Sequence, residues 1–179
     1  MNTRRRVLAL AGVFGLTLGL LAADSPPMDP HLEPLRPWLG KTWKGEFKNS
    51  TSDKPVVDVA RWKRALNGKA VRILHSINDG VYGGESIVTW DEKKQAVTYH
   101  YFTTAGFMTI GTMTFKDGKV LTHETVTGNA SGVTEVRGTH EMRADGTFQV
   151  KTEHLKNGEW AVGREVTYRQ DSSASVVFK

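Results

Sequence analysis

The stretch TFQVKTEHLKNGEWAVGREVTYR, residues 147–169, decides the fold. Two runs rich in Val, Thr, Tyr, Phe and Trp flank Asn157-Gly158, and both of these residues tolerate positive φ, as a tight, right-twisted hairpin turn requires. Strand side chains alternate between faces, so Phe148, Val150, Thr152 and His154 oppose Thr147, Gln149, Lys151 and Glu153. The same rule sets Trp160, Val162, Arg164, Val166 and Tyr168 against Glu165, Thr167 and Arg169. Each run has one face for a core and one for water.

Upstream the pattern repeats as far as Lys41. Turn signals recur at Asn67-Gly68, Asn78-Asp79-Gly80, Asp91 to Lys94, Ala105-Gly106, Asp117-Gly118, Gly128 to Gly132 and Ala144-Asp145-Gly146. The segments between them predict ten strands, near 41–49, 55–66, 69–77, 82–90, 95–104, 107–115, 119–127, 133–143, 147–155 and 159–170. No segment past Lys41 keeps a 3.6-residue apolar period. The one helical candidate, 29–39, contains three prolines, which limit it to a turn or so. Hairpins between neighbours make an up-and-down sheet, and ten strands left open would expose aggregation-prone edges. The expected fold is therefore all-β: a single antiparallel up-and-down barrel of about ten strands with a short N-terminal helix. A sandwich or half-open sheet is the alternative.

Alternation gives further inward sets. Val136, Gly138, His140 and Met142 oppose Glu135, Arg137, Thr139 and Glu141, and Val71, Ile73, His75 and Ile77 form another apolar series. Strands 95–104 and 107–115 are apolar on both faces, which leaves their inward side open.

The first 23 residues carry the marks of a cleavable secretory signal. Arg4, Arg5 and Arg6 precede an uncharged run of 17 residues, Val7 to Ala23, with small residues at its exit. The run is short for a spanning helix and holds three glycines. Thr3-Arg4-Arg5-Arg6-Val7-Leu8 also resembles the twin-arginine motif, so the Sec and twin-arginine routes stay open, and the mature chain is expected in the periplasm or secreted. The expected organisation is signal peptide 1–23, linker and short helix 24–40, barrel 41–170 and frayed tail 171–179. The absence of Cys removes disulfides, thiolate metal sites and an acylated lipoprotein anchor, so no stable membrane anchor is expected after cleavage. The net charge of +5 is mostly signal peptide: without its three arginines, 21 basic residues face 19 acidic ones. That leaves no electrostatic footprint for nucleic acid.

Pro37-Trp38-Leu39-Gly40-Lys41-Thr42-Trp43-Lys44-Gly45 resembles the opening of calycin-type barrels, in which a short helix leads into a Gly-x-(x)-Trp first strand. With Thr89 to Lys94, Gly111 to Phe115 and Arg164 to Arg169, the chain over most of 35–170 is similar to a bacterial calycin-like (lipocalin-type) family of unknown function. Nitrobindins and fatty-acid-binding proteins are more distantly similar. The resemblance implies that Trp43 closes the barrel floor with Arg169 packed over it. Arg169 has the opposite parity to an inward Trp160, so that packing needs a bulge or a strand end.

The inward faces nominate the binding residues. His75, His140, Thr152, His154, Arg164 and Tyr168 would share the interior, where buried Arg and His need partners. Arg164 would offer a fork to an anionic or hydrogen-bonding ligand group, or be paired internally, for instance with Glu85. No metal-ligand spacing and no nucleophile motif occurs. Asp58, Glu85 and Glu124 are candidate carboxylates, yet no spacing places two across a cleft. The expected function is non-catalytic binding of a small, partly apolar ligand in a cell-envelope barrel, with no cofactor. The alternatives are an isomerase or hydrolase using an inward His as acid or base, and a haem binder with a single axial ligand, best placed at His154. Oligomeric state is not legible.

Overall fold

The computed structural model describes residues 26–179; the expected signal peptide lies outside them. Ten antiparallel strands follow in chain order: β1 (Thr42–Phe47), β2 (Val57–Ala65), β3 (Ala70–Ile77), β4 (Tyr82–Asp91), β5 (Ala96–Thr103), β6 (Met108–Lys116), β7 (Lys119–Thr127), β8 (Val133–Met142), β9 (Phe148–Lys156) and β10 (Glu159–Gln170). Each pairs with its sequence neighbour, and β1 pairs with β10 with Gly45 opposite Tyr168, which closes the barrel. Turn chemistry fixes these hairpins: Asp117-Gly118 and Asn157-Gly158 have positive φ at both residues, the geometry that matches strand twist.

One end is shut by a 3₁₀ helix, Pro30–Trp38, which is longer than the single turn expected. Three residues per turn eclipse every third side chain, so Leu32, Leu35 and Trp38 form one buried edge beneath the barrel. Pro34 and Pro37 lie on the exposed side. Trp38 stacks on Trp62 with ring centroids 5.8 Å apart, and its carbonyl accepts the indole N–H of the fully buried Trp43 at 3.2 Å. Phe148 meets Trp43 edge-on at 4.9 Å and stacks on Tyr168 at 4.4 Å. Buried valines from six strands (Val71, Val88, Val97, Val120, Val150 and Val166) complete this packed end.

The faces of β10 differ from strict alternation. The β9–β10 register shifts between Val162 and Glu165: Val162 opposes Glu153, whereas Glu165 opposes Lys151. One extra residue is thus accommodated at Gly163-Arg164, a β-bulge that reverses parity. Arg164, Val166 and Tyr168 face inward as expected, but Trp160 and Val162 face out. Val162 is 80% exposed, and Trp160 lies beneath the Arg137 guanidinium, 4.2 Å from its ring centroid. Gly163 belongs here because a Cβ would come within 2.5 Å of Thr152 Oγ1. The expected packing of Arg169 over Trp43 does not occur. Arg169 pairs with Lys44 on the exposed side, while the cation over Trp43 is Lys41, at 5.4 Å.

The tail 171–179 has no regular structure and still returns to the barrel. Asp171 N–H donates to Thr42 O at 2.9 Å, and Val177 N–H donates to Ser76 Oγ at 3.0 Å, on the outer face of β3.

Candidate functional site

Above the packed end the barrel is hollow, with a cavity of about 420 Å³ that opens towards the β1–β2, β3–β4, β5–β6 and β7–β8 loops. This lies within the usual range for small-molecule sites. His75, His140, Thr152, His154, Arg164 and Tyr168 all line it. So do Asp58 and Glu124, two carboxylates whose sequence spacing gave no reason to bring them together.

Asp58 organises the polar wall. It shares parity with Ala60 and Trp62 on β2, so it points inward, and it is 1% exposed. Its Oδ2 accepts from Tyr168 OH at 2.6 Å and from Arg164 Nη1 at 3.2 Å. Its Oδ1 meets His75 Nδ1 at 3.1 Å. Burial pushes this carboxyl up, but His75, Arg164 and Tyr168 outweigh it and hold Asp58 below the usual carboxylate range. Arg164 therefore pairs with Asp58. The alternative partner, Glu85, instead forms a fork with Arg72 on the outside, at 2.7 and 2.8 Å.

Arg164 reaches the lumen because of the bulge. Its backbone N–H donates to Thr152 Oγ1 at 2.9 Å, which anchors the irregular backbone. Among the described residues its Nε and Nη2 groups have no hydrogen-bond partner, and they belong to a side chain that lines the cavity. Burial opposes its charge; Tyr168, Asp58, Tyr101 and Glu124 more than compensate and keep it protonated.

From Asp58 a chain of hydrogen bonds crosses the wall. His75 Nε2 lies 2.6 Å from Tyr101 OH, which lies 2.9 Å from Tyr82 OH. Tyr101 can lie flat against the sheet because Gly84, beside it on β4, has no Cβ to collide with its ring. Desolvation raises both phenols above their ordinary range.

Glu124, on β7, lies among Thr122 and Val126 and accepts from Thr109 Oγ1. Burial raises its carboxyl, and Thr109, Arg164 and Tyr99 offset that only in part. His140 on β8 has a buried Nδ1 without a partner, and desolvation together with Arg164 depresses the ring to about 3, so it stays neutral. Among the described residues, no three His, Asp or Glu side chains converge in a way that could hold a metal ion.

Sequence reasoning named Asp58 and Glu124 as candidate carboxylates without bringing them together, and it left Tyr82 and Tyr101 out of the binding set. For the carboxylates the signal was present: each is the polar member of an inward alternating set. For Tyr101 it was absent, because β5 is apolar on both faces.

No family model matches this chain, and no curated protein does. Among solved structures it is similar to the crystal structure of Rv2717c from M. tuberculosis, with a TM-score of 0.59 and 13% identity, over 81% of this chain and 99% of that one. The likeness shows the fold: a closed ten-stranded antiparallel barrel of a kind compatible with ligand binding.

Proposed function

We propose that this protein is an exported, calycin-like barrel that binds a small, partly apolar molecule inside its open half, with the molecule's acceptor group on Arg164. The observation that carries the reading is the combination of a hollow, mainly apolar chamber with a guanidinium whose remaining N–H groups face it. Asp58 anchors one end of this guanidinium through Nη1, so an acceptor meets N–H groups whose side chain is already held in place.

A thermal-shift panel of palmitate, indole-3-acetate, 1-tetralone and haemin tests this. A ligand at a hundredfold excess over Kd should raise Tm by roughly 5–10 °C in a domain of this size. The shift, measured against each variant's own baseline, should vanish in Arg164→Ala. If no probe shifts the wild type, or the shift survives in Arg164→Ala, the reading fails. Haemin belongs in the panel because His154 lines the cavity opposite the bulge, where Gly163 leaves space beside its Nδ1. A Soret band that disappears in His154→Ala would replace the small-ligand reading with haem.

A further inference from the structure

One carboxylate orients two different chemical tools into the same chamber. Asp58 Oδ2 holds Arg164, an electrophile with spare N–H groups, while Oδ1 holds His75, a base. An ionised carboxylate only accepts, so His75 Nδ1 carries the hydrogen, and in the basic form of the ring the lone pair is the one at Nε2. Tyr101 then donates to Nε2 and accepts from Tyr82, whose remaining lone pairs face the cavity. The chain is a wire with a base at one end and an opening at the other.

We propose that the cavity catalyses proton transfer at the carbon next to the carbonyl of a small, largely apolar, uncharged ketone. This rests on the binding reading above and narrows its ligand class. The carbonyl oxygen accepts from Arg164. The α-C–H bond breaks and its proton passes to Tyr82 oxygen as the Tyr82 proton moves to Tyr101 and the Tyr101 proton to His75 Nε2. The C–H electron pair becomes the enolate C=C, and the carbonyl π pair moves to oxygen, beside Arg164. The imidazolium formed is held by the Asp58 carboxylate. Once the proton on Tyr82 has exchanged with solvent at the open end, delivery of a solvent-derived proton to the same carbon gives exchange, and delivery to a conjugated carbon moves a double bond. No oxidant or cofactor is consumed. Desolvation keeps Tyr82 and Tyr101 as phenols, so they relay protons and do not store charge. An uncharged substrate fits because Asp58 already offsets Arg164 and Glu124 faces the same space.

The test is α-deuteration of 1-tetralone in D₂O, followed by proton NMR, with its binding measured separately by equilibrium dialysis. Wild type should exceed the buffer rate by about 10²–10⁴-fold. Tyr82→Phe, which cuts the wire at its open end, should lose about 10²-fold while still binding tetralone. His75→Gln, which removes the base at the buried end of the wire, should lose at least as much while still binding tetralone. Exchange lost in Glu124→Gln but retained in His75→Gln would assign the base to Glu124 and overturn the relay. Tetralone bound but exchanging at the buffer rate, or full activity in Tyr82→Phe, overturns this proposal and leaves binding intact. Failure of tetralone to bind overturns the proposal; the binding reading falls as well only if every panel probe fails.

Discussion

The two halves of the barrel use the same strands for opposite purposes. Below, Trp43, Trp62, Phe148 and the valine layer meet the Leu32–Leu35–Trp38 edge in one contiguous buried cluster. Above, the same ten strands enclose an ion pair, a second buried carboxyl, phenols and imidazoles around empty volume. Close packing supplies stability in proportion to area removed from water. Buried charge supplies little of it, because desolvation cancels much of the attraction. The lower half thus carries the fold, and the upper half is free to hold groups that a stability-optimised core would exclude.

The largest break in that comparison comes from Trp43→Ala, which opens a cavity where Phe148 and Trp38 now touch the indole. The expected loss is about 4 kcal/mol in urea unfolding, with ligand binding retained in whatever stays folded. Next is Asp58→Ala. Removing it leaves Arg164 buried without its counter-charge, for a loss of about 3 kcal/mol, and it should also abolish ligand binding by releasing the guanidinium. If Asp58→Ala were as stable as wild type, the upper half would not depend on that pair at all.

Third, the hollow half should make the protein acid-sensitive. His140 is held neutral in the fold at about 3 but titrates normally when unfolded, so the unfolded chain binds the extra proton as pH falls below 6.5. Stability should drop by about 2 kcal/mol between pH 6.5 and roughly pH 5, and His140→Phe should remove that part of the decline. Asp58 acts lower: its depressed carboxyl contributes stability above 3.8, and this is lost as pH falls through its folded value. The smallest effect distinguishes inside from outside on β10. Val162→Lys should change stability by less than about 0.5 kcal/mol, since the bulge turns Val162 to solvent.

The strands, their order and the closed barrel were legible because turn chemistry and period-2 alternation both act locally. Asn-Gly and Asp-Gly marked hairpins, and the parity of β3, β8 and β9 placed His75, His140 and His154 correctly in the lumen. The reading failed where one inserted residue changes everything before it: the Gly163-Arg164 bulge put Trp160 and Val162 outside, and strict alternation contains no signal for a bulge beyond the glycine itself. The presence of Asp58 and Glu124 in one chamber was hidden for a different reason. Those residues lie on β2 and β7, on distant strands of the sheet, and only closure brings their side chains into one chamber. Tyr101 was hidden because its neighbours His100 and Phe102 are equally at home on either face.

Over most of its circumference the barrel wall is one strand thick, but β3 has protein on both sides. Val177, folded back from the C terminus, covers Ser76, the immediate neighbour of His75. The histidine at the root of the proton wire therefore has insulation behind it as well as a sheltered chamber in front, and its bonds to Asp58 and Tyr101 act in a weakly polarisable medium. A fusion that pulls the last few residues away would admit solvent behind that strand and weaken the wire without touching any group inside the barrel.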